Sequence, residues 1–301
     1  MVELSGAAPT PARADAGPVR SAGAALRFVV HDGALLTASI LLGILVFLAV
    51  FGPLIWRKDP LAVDLLAALE PPSREHPMGT DNLGRDVFAR FNEGARISLL
   101  VGLAVVATGA AIGGVLGLVA GVLGGWIDGL FMRIMDAVLA FPPLILAMAV
   151  TVGLGVGLKT AALGIMITSV PYYARLIRSD VLRIRSLPFV EAAAALGASR
   201  NRIIFRHVAP HTVSTLFIQA SAVFGYAILT LAALGFVGLG AQVPTPEWGT
   251  MITDGLANAL TGQWWTAFFP GIGVLAAVTA ASIIADRARD ILDPRGDYAY
   301  V

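Results

Sequence analysis

The chain has 301 residues, of which 57% are hydrophobic and only 14% charged, and its mean hydropathy is +0.79. A water-soluble protein carries about 25% charged residues, so the composition excludes an ordinary soluble globular protein and indicates that much of the surface faces lipid. The net charge of +1 gives no general attraction to nucleic acid, and the absence of cysteine excludes disulfides and thiol chemistry.

The N-terminal part consists of a polar tail and a first apolar run. Residues 1–30 are rich in Ala, Pro and Gly with scattered Arg, which predicts a disordered cytoplasmic tail. The charge-free run from Gly33 to Trp56 exceeds the ~20 apolar residues needed to cross the hydrocarbon core. A cleaved signal peptide is the alternative, but its apolar core would be shorter, so the run is interpreted as an uncleaved anchor.

Residues 57–96 are the polar segment between the first two spans, and they are predicted to be external. Local physics predicts that Thr80 caps a helix in which Asp81 and Arg85 pair four residues apart.

The next span carries glycines at every fourth position: Gly109, Gly113, Gly117, Gly121 and Gly125. Such a face lets a neighbouring helix approach closely, and packing within this chain is favoured over a dedicated dimer interface.

The remaining spans are found as stretches without charge, because a charged side chain at mid-membrane costs roughly 3 kcal/mol or more. One candidate, between Lys159 and Arg175, is short and contains Pro171, but its flanking cations can snorkel to the interfaces. The sequence GLGVGLKT at 153–160 lacks the glycine that a phosphate loop needs before its lysine, and is interpreted as a connecting loop. The sequence therefore predicts an all-α polytopic membrane protein with about six transmembrane helices, approximately at 34–56, 97–123, 134–157, 159–178, 212–240 and 264–285.

The distribution of Lys and Arg between the loops predicts the orientation of these spans. With the N-terminus in the cytoplasm, fourteen of the 21 basic residues lie on the cytoplasmic side, including the dense group between 175 and 206. Both termini are then cytoplasmic, as are the loop at 180–211 and the C-terminal tail at 286–301. The membrane domain as a whole covers 31–295.

The cytoplasmic loop contains SLPFVEAAAALGASRNRIIFRHVAPH at 186–211. Pro188 and Glu191 favour the first turn of a short helix, and Gly197 is suited to end it with a left-handed cap. Ser199 is a candidate N-cap for a second short helix, which Pro210 is predicted to stop. Exposed alanines and the apolar anchors Leu187, Phe189 and Val190 predict that this helix–turn–helix elbow meets a cytosolic partner.

The pair His207 and His211 has metal-ligand spacing, but no third ligand accompanies it. The favoured interpretation is therefore two polar residues at the membrane boundary and not a metal site.

This elbow resembles the EAA loop of binding-protein-dependent ATP-binding-cassette importer permeases. The positions of that pattern are occupied by Glu191, Ala192, Ala193, Gly197 and Pro210, whereas His207 and Ala209 stand where the pattern favours Ile and Leu. HPMGTDNLGRDVFAR at 76–90, MRIMDAVLAFPPL at 132–144 and LGFVGLGAQVPTPEWGTMI at 234–252 are similar to segments of the dipeptide, oligopeptide and nickel subfamily.

The resemblance implies a transport subunit in the plasma (inner) membrane that is not itself an enzyme. Its expected partners are a second homologous permease, two cytosolic ATPases, an external solute-binding protein, the lipid bilayer and a peptide substrate, without nucleic acid. The resemblance implies that ATP and Mg²⁺ are bound by the ATPases and that this chain holds no cofactor. Nickel and glutathione are alternative substrates.

Two other classes of protein have a similar number of spans. A secondary transporter or channel normally keeps ionisable groups near the midplane, and the predicted span interiors contain no Asp, Glu, Lys or Arg. A membrane-embedded enzyme is the other alternative, and the sequence has no recognisable set of nucleophile, base and orienting residue.

Overall fold

The computed structural model describes residues 32–292, and this part of the chain is built from helices and turns without a β-strand. The helices are α1 (Gly33–Ile55), α2 (Val87–Thr108), α3 (Gly114–Leu123), α4 (Gly125–Leu139), α5 (Pro143–Leu154), α6 (Leu158–Arg185), α7 (Pro188–Ala195), α8 (Arg200–Ile203), α9 (Ala209–Phe236), α10 (Trp248–Leu260) and α11 (Trp265–Leu292). A short 3₁₀ turn, Leu65–Ala67, and two π turns, Gly109–Gly113 and Ile204–Val208, complete the helical structure. The predicted tail at 1–30 and the last residues of the tail at 286–301 lie outside the described residues.

The helices confirm the all-α polytopic class, with a span count that differs in detail from the expected six. Among the described residues four helices are long and apolar enough to cross a membrane: Gly33–Ile55, Val87–Leu123, Asn201–Phe236 and Trp265–Asp290. The pair α4 and α5 adds a fifth if it is one broken span. The sixth predicted span, 159–178, lies within α6, whose second half carries charged residues from Arg175 onward.

The predicted span 134–157 is not a straight helix. Its two halves, α4 and α5, meet at an angle of 86°. The break falls at Pro142 and Pro143, where proline has no N–H to continue the helical hydrogen bonds and Pro143 stands at the start of α5. The chain therefore turns sharply at this point, which the charge-free pattern alone did not indicate.

The glycine face of the second span packs on α6 of the same chain, as the sequence predicted. A Cβ atom at Gly113 would lie 2.5 Å from the carbonyl oxygen of Val170, and one at Gly117 would overlap the carbonyl of Ala174. One turn further, a Cβ at Gly121 would lie 2.8 Å from Val181. The backbones of the two helices are thus in direct contact, which only glycine permits.

The segment between α1 and α2, which the sequence predicts to be external, is fixed to the start of α2 by hydrogen bonds and ion pairs. Asp81 and Arg85 pair as predicted, with Nε to Oδ2 at 2.7 Å. The prediction that Thr80 caps a helix is wrong: its hydroxyl donates to the carbonyl of Ala67 and accepts from the backbone N–H of Glu70. The cap of α2 is Asp86, which accepts from the N–H of Ala89 at 2.8 Å, because the chain turns back on itself before the helix begins.

The helix α10 closes the same end of the bundle. Its N-cap Glu247 is 1% exposed and accepts hydrogen bonds from the N–H groups of Gly249 and Thr250. Burial raises the pKa of the Glu247 carboxyl to about 7, although these two N–H groups act to lower it. The indole of Trp248 donates to the carbonyl of Phe91 at 3.2 Å, so α10 is fixed to α2.

Replacement of Gly117 tests the contact between α3 and α6. Gly117→Leu is expected to lower the free energy of unfolding by about 1–3 kcal/mol, because the side chain has to displace the backbone of α6. Thermal unfolding of the detergent-purified protein measures the effect. Gly129→Leu is the matched control, since a Cβ at Gly129 meets no atom within 4 Å. Equal melting temperatures for the two variants would show that the helices are not in tight contact.

Candidate functional site

The elbow, residues 186–211, begins with a two-turn helix that starts at a proline and ends in a glycine cap. Leu187 is the N-cap of α7 with extended backbone, Pro188 occupies the first turn, and Glu191 lies in the same turn. Gly197 has φ +82°, and hydrogen bonds run from its N–H to Ala194 and from the N–H of Ala198 to Ala193, both at 3.0 Å. These two bonds form a Schellman motif, so the predicted left-handed cap at Gly197 is confirmed.

The second half of the elbow differs from the prediction. The Ser199 hydroxyl accepts from the N–H of Arg202 at 3.4 Å, consistent with an N-cap. The helix does not stop at Pro210, however, but continues as one helix from Asn201 to Phe236. The π turn Ile204–Val208 provides the reason, because it inserts one residue into the helical turn just before the proline. Pro210 then stands in the first turn of α9, where its missing N–H is tolerated.

One face of the elbow is buried against the membrane helices. Val190 is 5% exposed and Val208 is 1% exposed, and both belong to an apolar cluster with Ile177, Val181 and Ile184 of α6. The Arg185 guanidinium donates to the carbonyls of Gly121 at 2.7 Å and Val122 at 3.2 Å, at the end of α3. The elbow is therefore packed on the end of α6, and Arg185 bonds that end of α6 to α3, so the elbow is not suspended on a flexible loop.

The opposite face is exposed and carries small or apolar side chains. Glu191 and Ala192 are exposed, Ala193 is half-buried, and Leu196 at the end of α7 is 89% exposed. Leu196 was missed by the sequence reasoning, and Val190, expected to be an outward anchor, points into the apolar cluster instead. Helical spacing provides the missing signal, since these two positions are six residues apart and lie on different faces of the helix. An exposed leucine beside alanines forms an apolar surface suited to a partner.

The two histidines of the elbow pack on an aromatic ring. Phe189 lies 5.5 Å from His211 and 6.3 Å from His207 between ring centroids. Residues 32–292 contain no group of three His, Cys, Asp or Glu side chains that is able to hold a metal ion. The histidines thus support Phe189, which is 41% exposed at the edge of the elbow.

Most of the neighbouring arginines are paired inside the chain. Arg178 makes two bonds to Asp128 of α4, at 2.5 and 2.6 Å, and Arg175 pairs with Asp136 of the same helix. Exposed Arg202 has no ion pair with any described residue, and the same holds for Arg206. The ion pairs hold α4 on α6, whereas the two exposed arginines remain available to acidic groups of a partner.

Comparison with known proteins places this geometry in context. Residues 113–297, which include the whole elbow, match the family described as binding-protein-dependent transport system inner membrane component. A probable D,D-dipeptide transport system permease protein of Escherichia coli (strain K12) is 42% identical over 259 residues, covering 86% of this chain and 87% of that protein. A dipeptide transport system permease protein of Alkalihalophilus pseudofirmus is 43% identical over 251 residues, 83% of this chain and 82% of that protein. A glutathione transport system permease protein of Shigella sonnei is 43% identical over 224 residues, 74% of each chain.

The cap at Gly197 provides a direct test of the elbow geometry. Gly197→Val is expected to cost about 1–2 kcal/mol locally, because a β-branched residue is strained at φ +82°. Hydrogen exchange of the amides at 193–198 should become faster while exchange in α6 is unchanged. Gly197→Asn is the matched control, since asparagine tolerates the left-handed region. Unchanged exchange in the valine variant would contradict the capped turn.

Proposed function

The chain belongs to the family of binding-protein-dependent transport system inner membrane components, and on that premise we propose that it forms half of the peptide pathway of an ATP-binding-cassette importer. The observation that carries the proposal is the elbow, a rigid projection with an exposed apolar face between two long helices. The relatives named as dipeptide permeases support dipeptides or oligopeptides as the solute. The relative named as a glutathione permease supports a second candidate, and glutathione is itself a tripeptide.

The proposed partners on the elbow side are two cytosolic ATPases that bind ATP and Mg²⁺, while this chain holds no cofactor. The coupling residues are Glu191, Ala192, Ala193, Gly197 and Pro210. The alanines and the exposed Leu196 allow α7 to enter a cleft, and Glu191 adds a negative charge to that contact. Gly197 and Pro210 act indirectly, because the first sets the turn and the second starts α9 directly after the elbow.

The connection of the elbow to the spans supports a mechanical role. When the ATPases close on ATP, a displacement of α7 is passed to α6 through Val190. Arg185 at the end of α6 passes it on to α3, and the π turn continues it into α9. Close-packed helices move as units because their interiors do not compress. The half-pore is thereby tilted from an inward-facing to an outward-facing state, and release of the hydrolysis products resets it.

Contacts between the first and the last described helices support the proposed orientation. Asp32 at the start of α1 pairs with Arg287 near the end of α11 at 3.1 Å, so these helix ends lie on one side. Gly225 of α9 faces Ala281 and Val278 of α11, and the two helices run antiparallel, which brings the elbow to that same side. With the basic residues concentrated there, we infer that this side is cytoplasmic and that the membrane is the inner (plasma) membrane.

The opposite side carries a second exposed apolar feature, the tip at residues 61–66. Leu66 is 99% exposed and Leu65 68% exposed, although they belong to a rigid turn. Asp64 accepts from the N–H of Leu66, and its own N–H donates to the carbonyl of Leu83. A fixed apolar tip supports docking of the external solute-binding protein, the remaining partner of the proposed importer with its second permease.

Charge reversal at Glu191 tests coupling to the ATPases. Glu191→Lys is expected to weaken co-purification of the ATPase subunits and to reduce ATP-dependent uptake about tenfold or more, because a charged contact becomes repulsive. Glu75→Lys, an exposed residue of the external segment, is the matched control and should leave co-purification of the ATPase subunits unchanged. Uptake that survives ATP depletion but collapses with the ion gradient would instead favour a secondary transporter.

A substitution in the tip tests docking on the other side. Leu66→Asp is expected to lower the stimulation of ATP hydrolysis by the solute-binding protein several-fold, since a buried carboxylate would replace an apolar contact. Basal hydrolysis of the reconstituted complex should not change. Leu260→Asp, at another exposed leucine in the last turn of α10, provides the comparison. Equal stimulation in the Leu66 variant and the wild type would exclude the tip as a docking site.

A further inference from the structure

An apolar crevice runs along the outside of the bundle between α1 and α2. Its outer part, of about 540 Å³, is lined by residues that include Pro53, Leu54 and Arg96. A second part, of about 330 Å³, continues between α9 and α11 and is lined by residues that include Phe224 and Ile284. Both parts share the side chains of Val46, Leu99 and Leu103, so they form one continuous crevice.

The length of the crevice fits one leaflet of a bilayer. Along α1 it extends from Leu42 to Leu54, and twelve residues of α-helix cover about 18 Å. Half of a typical hydrocarbon core is about 15 Å thick. Both bordering helices are candidate spans, so the crevice opens to acyl chains rather than to water.

One charged side chain lies in this otherwise apolar lining. Arg96 is 59% exposed, and its ion pair within the described residues is a 3.9 Å contact to Glu93 one turn away. Contacts between Gly52 and Asn92, and between the rings of Trp56 and Phe88, show that α1 and α2 run antiparallel. Arg96 therefore lies about one turn below Gly52, close to the end of α1, within snorkelling distance of the membrane surface.

We propose that this crevice binds one phospholipid, with its phosphate on the Arg96 guanidinium and one acyl chain along Val46, Leu99 and Leu103. A guanidinium has five N–H donors, and the long contact to Glu93 leaves most of them free for the bidentate geometry that phosphate oxygens accept. The level of Arg96 favours lipid over an apolar helix of another protein, because its side chain snorkels to the membrane surface and an apolar helix would bring no anion there. A phosphodiester is already present at that level in every phospholipid.

Native mass spectrometry of the full chain, purified in detergent with its co-purifying subunits, tests the site. The probe is phosphatidylglycerol with one palmitoyl and one oleoyl chain. Arg96→Gln should raise the dissociation constant of the first bound lipid about tenfold, because one charge-assisted contact is lost. Leu103→Trp keeps the charge but fills the crevice, and it should raise the dissociation constant by a similar factor. Arg133→Gln, an exposed arginine of α4 away from the crevice, is the matched control and should bind as the wild type does.

Three results would overturn the proposal. The first is wild-type lipid affinity in both the Arg96 and Leu103 variants. The second is displacement of the lipid by millimolar inorganic phosphate, which would indicate a site for free anions. The third is loss of a co-purified membrane subunit in both variants, which would indicate that a helix of another chain occupies the crevice. Size-exclusion profiles identical to the wild type exclude misfolding as the cause of weaker binding.

Discussion

The direct contact between the backbones of α3 and α6 is the constraint on which the rest of the structure depends. Helices in lipid gain little from burying apolar side chains, since the acyl chains are equally apolar, so stability comes from close packing. Gly113 and Gly117 bring α3 onto the carbonyls of α6. That contact orients the C-terminal half of α6. This half carries the apolar cluster under the elbow and the arginines that hold α4.

The elbow illustrates how local capping and tertiary packing act together. A Schellman cap at Gly197 fixes the turn between α7 and α8, but a cap alone would leave both helices free to move relative to the membrane. Val190 and Val208 bury the inner face of the elbow against the end of α6, which Arg185 bonds to the end of α3. The alanine face is consequently rigid before any partner binds, which lowers the entropy lost on association.

The sequence predicted those features of the fold that depend on a single local rule. Glycine spacing indicated the packing face, and the position of Gly197 indicated a left-handed cap, because few other residues adopt that backbone without strain. Features that depend on two competing rules were predicted wrongly. Pro210 was expected to stop a helix, but the π turn just before it allows the helix to continue. Such a turn has no recognisable sequence pattern. The bend at Pro142 was missed because hydropathy measures length and not direction.

Side-chain direction was the least predictable property of the candidate site. Val190 and Leu196 are equally apolar in sequence, yet one is buried in the cluster under the elbow and the other is 89% exposed. Their spacing of six residues puts them on different faces of α7, and only the packing of α7 against α6 decides which of the two faces is buried. The same argument applies to Arg96, because in the sequence a charge at the end of an apolar run indicates only where a membrane span ends. Only the relative placement of α1 and α2 shows that this charge lies in the lining of a crevice as long as a lipid leaflet is thick.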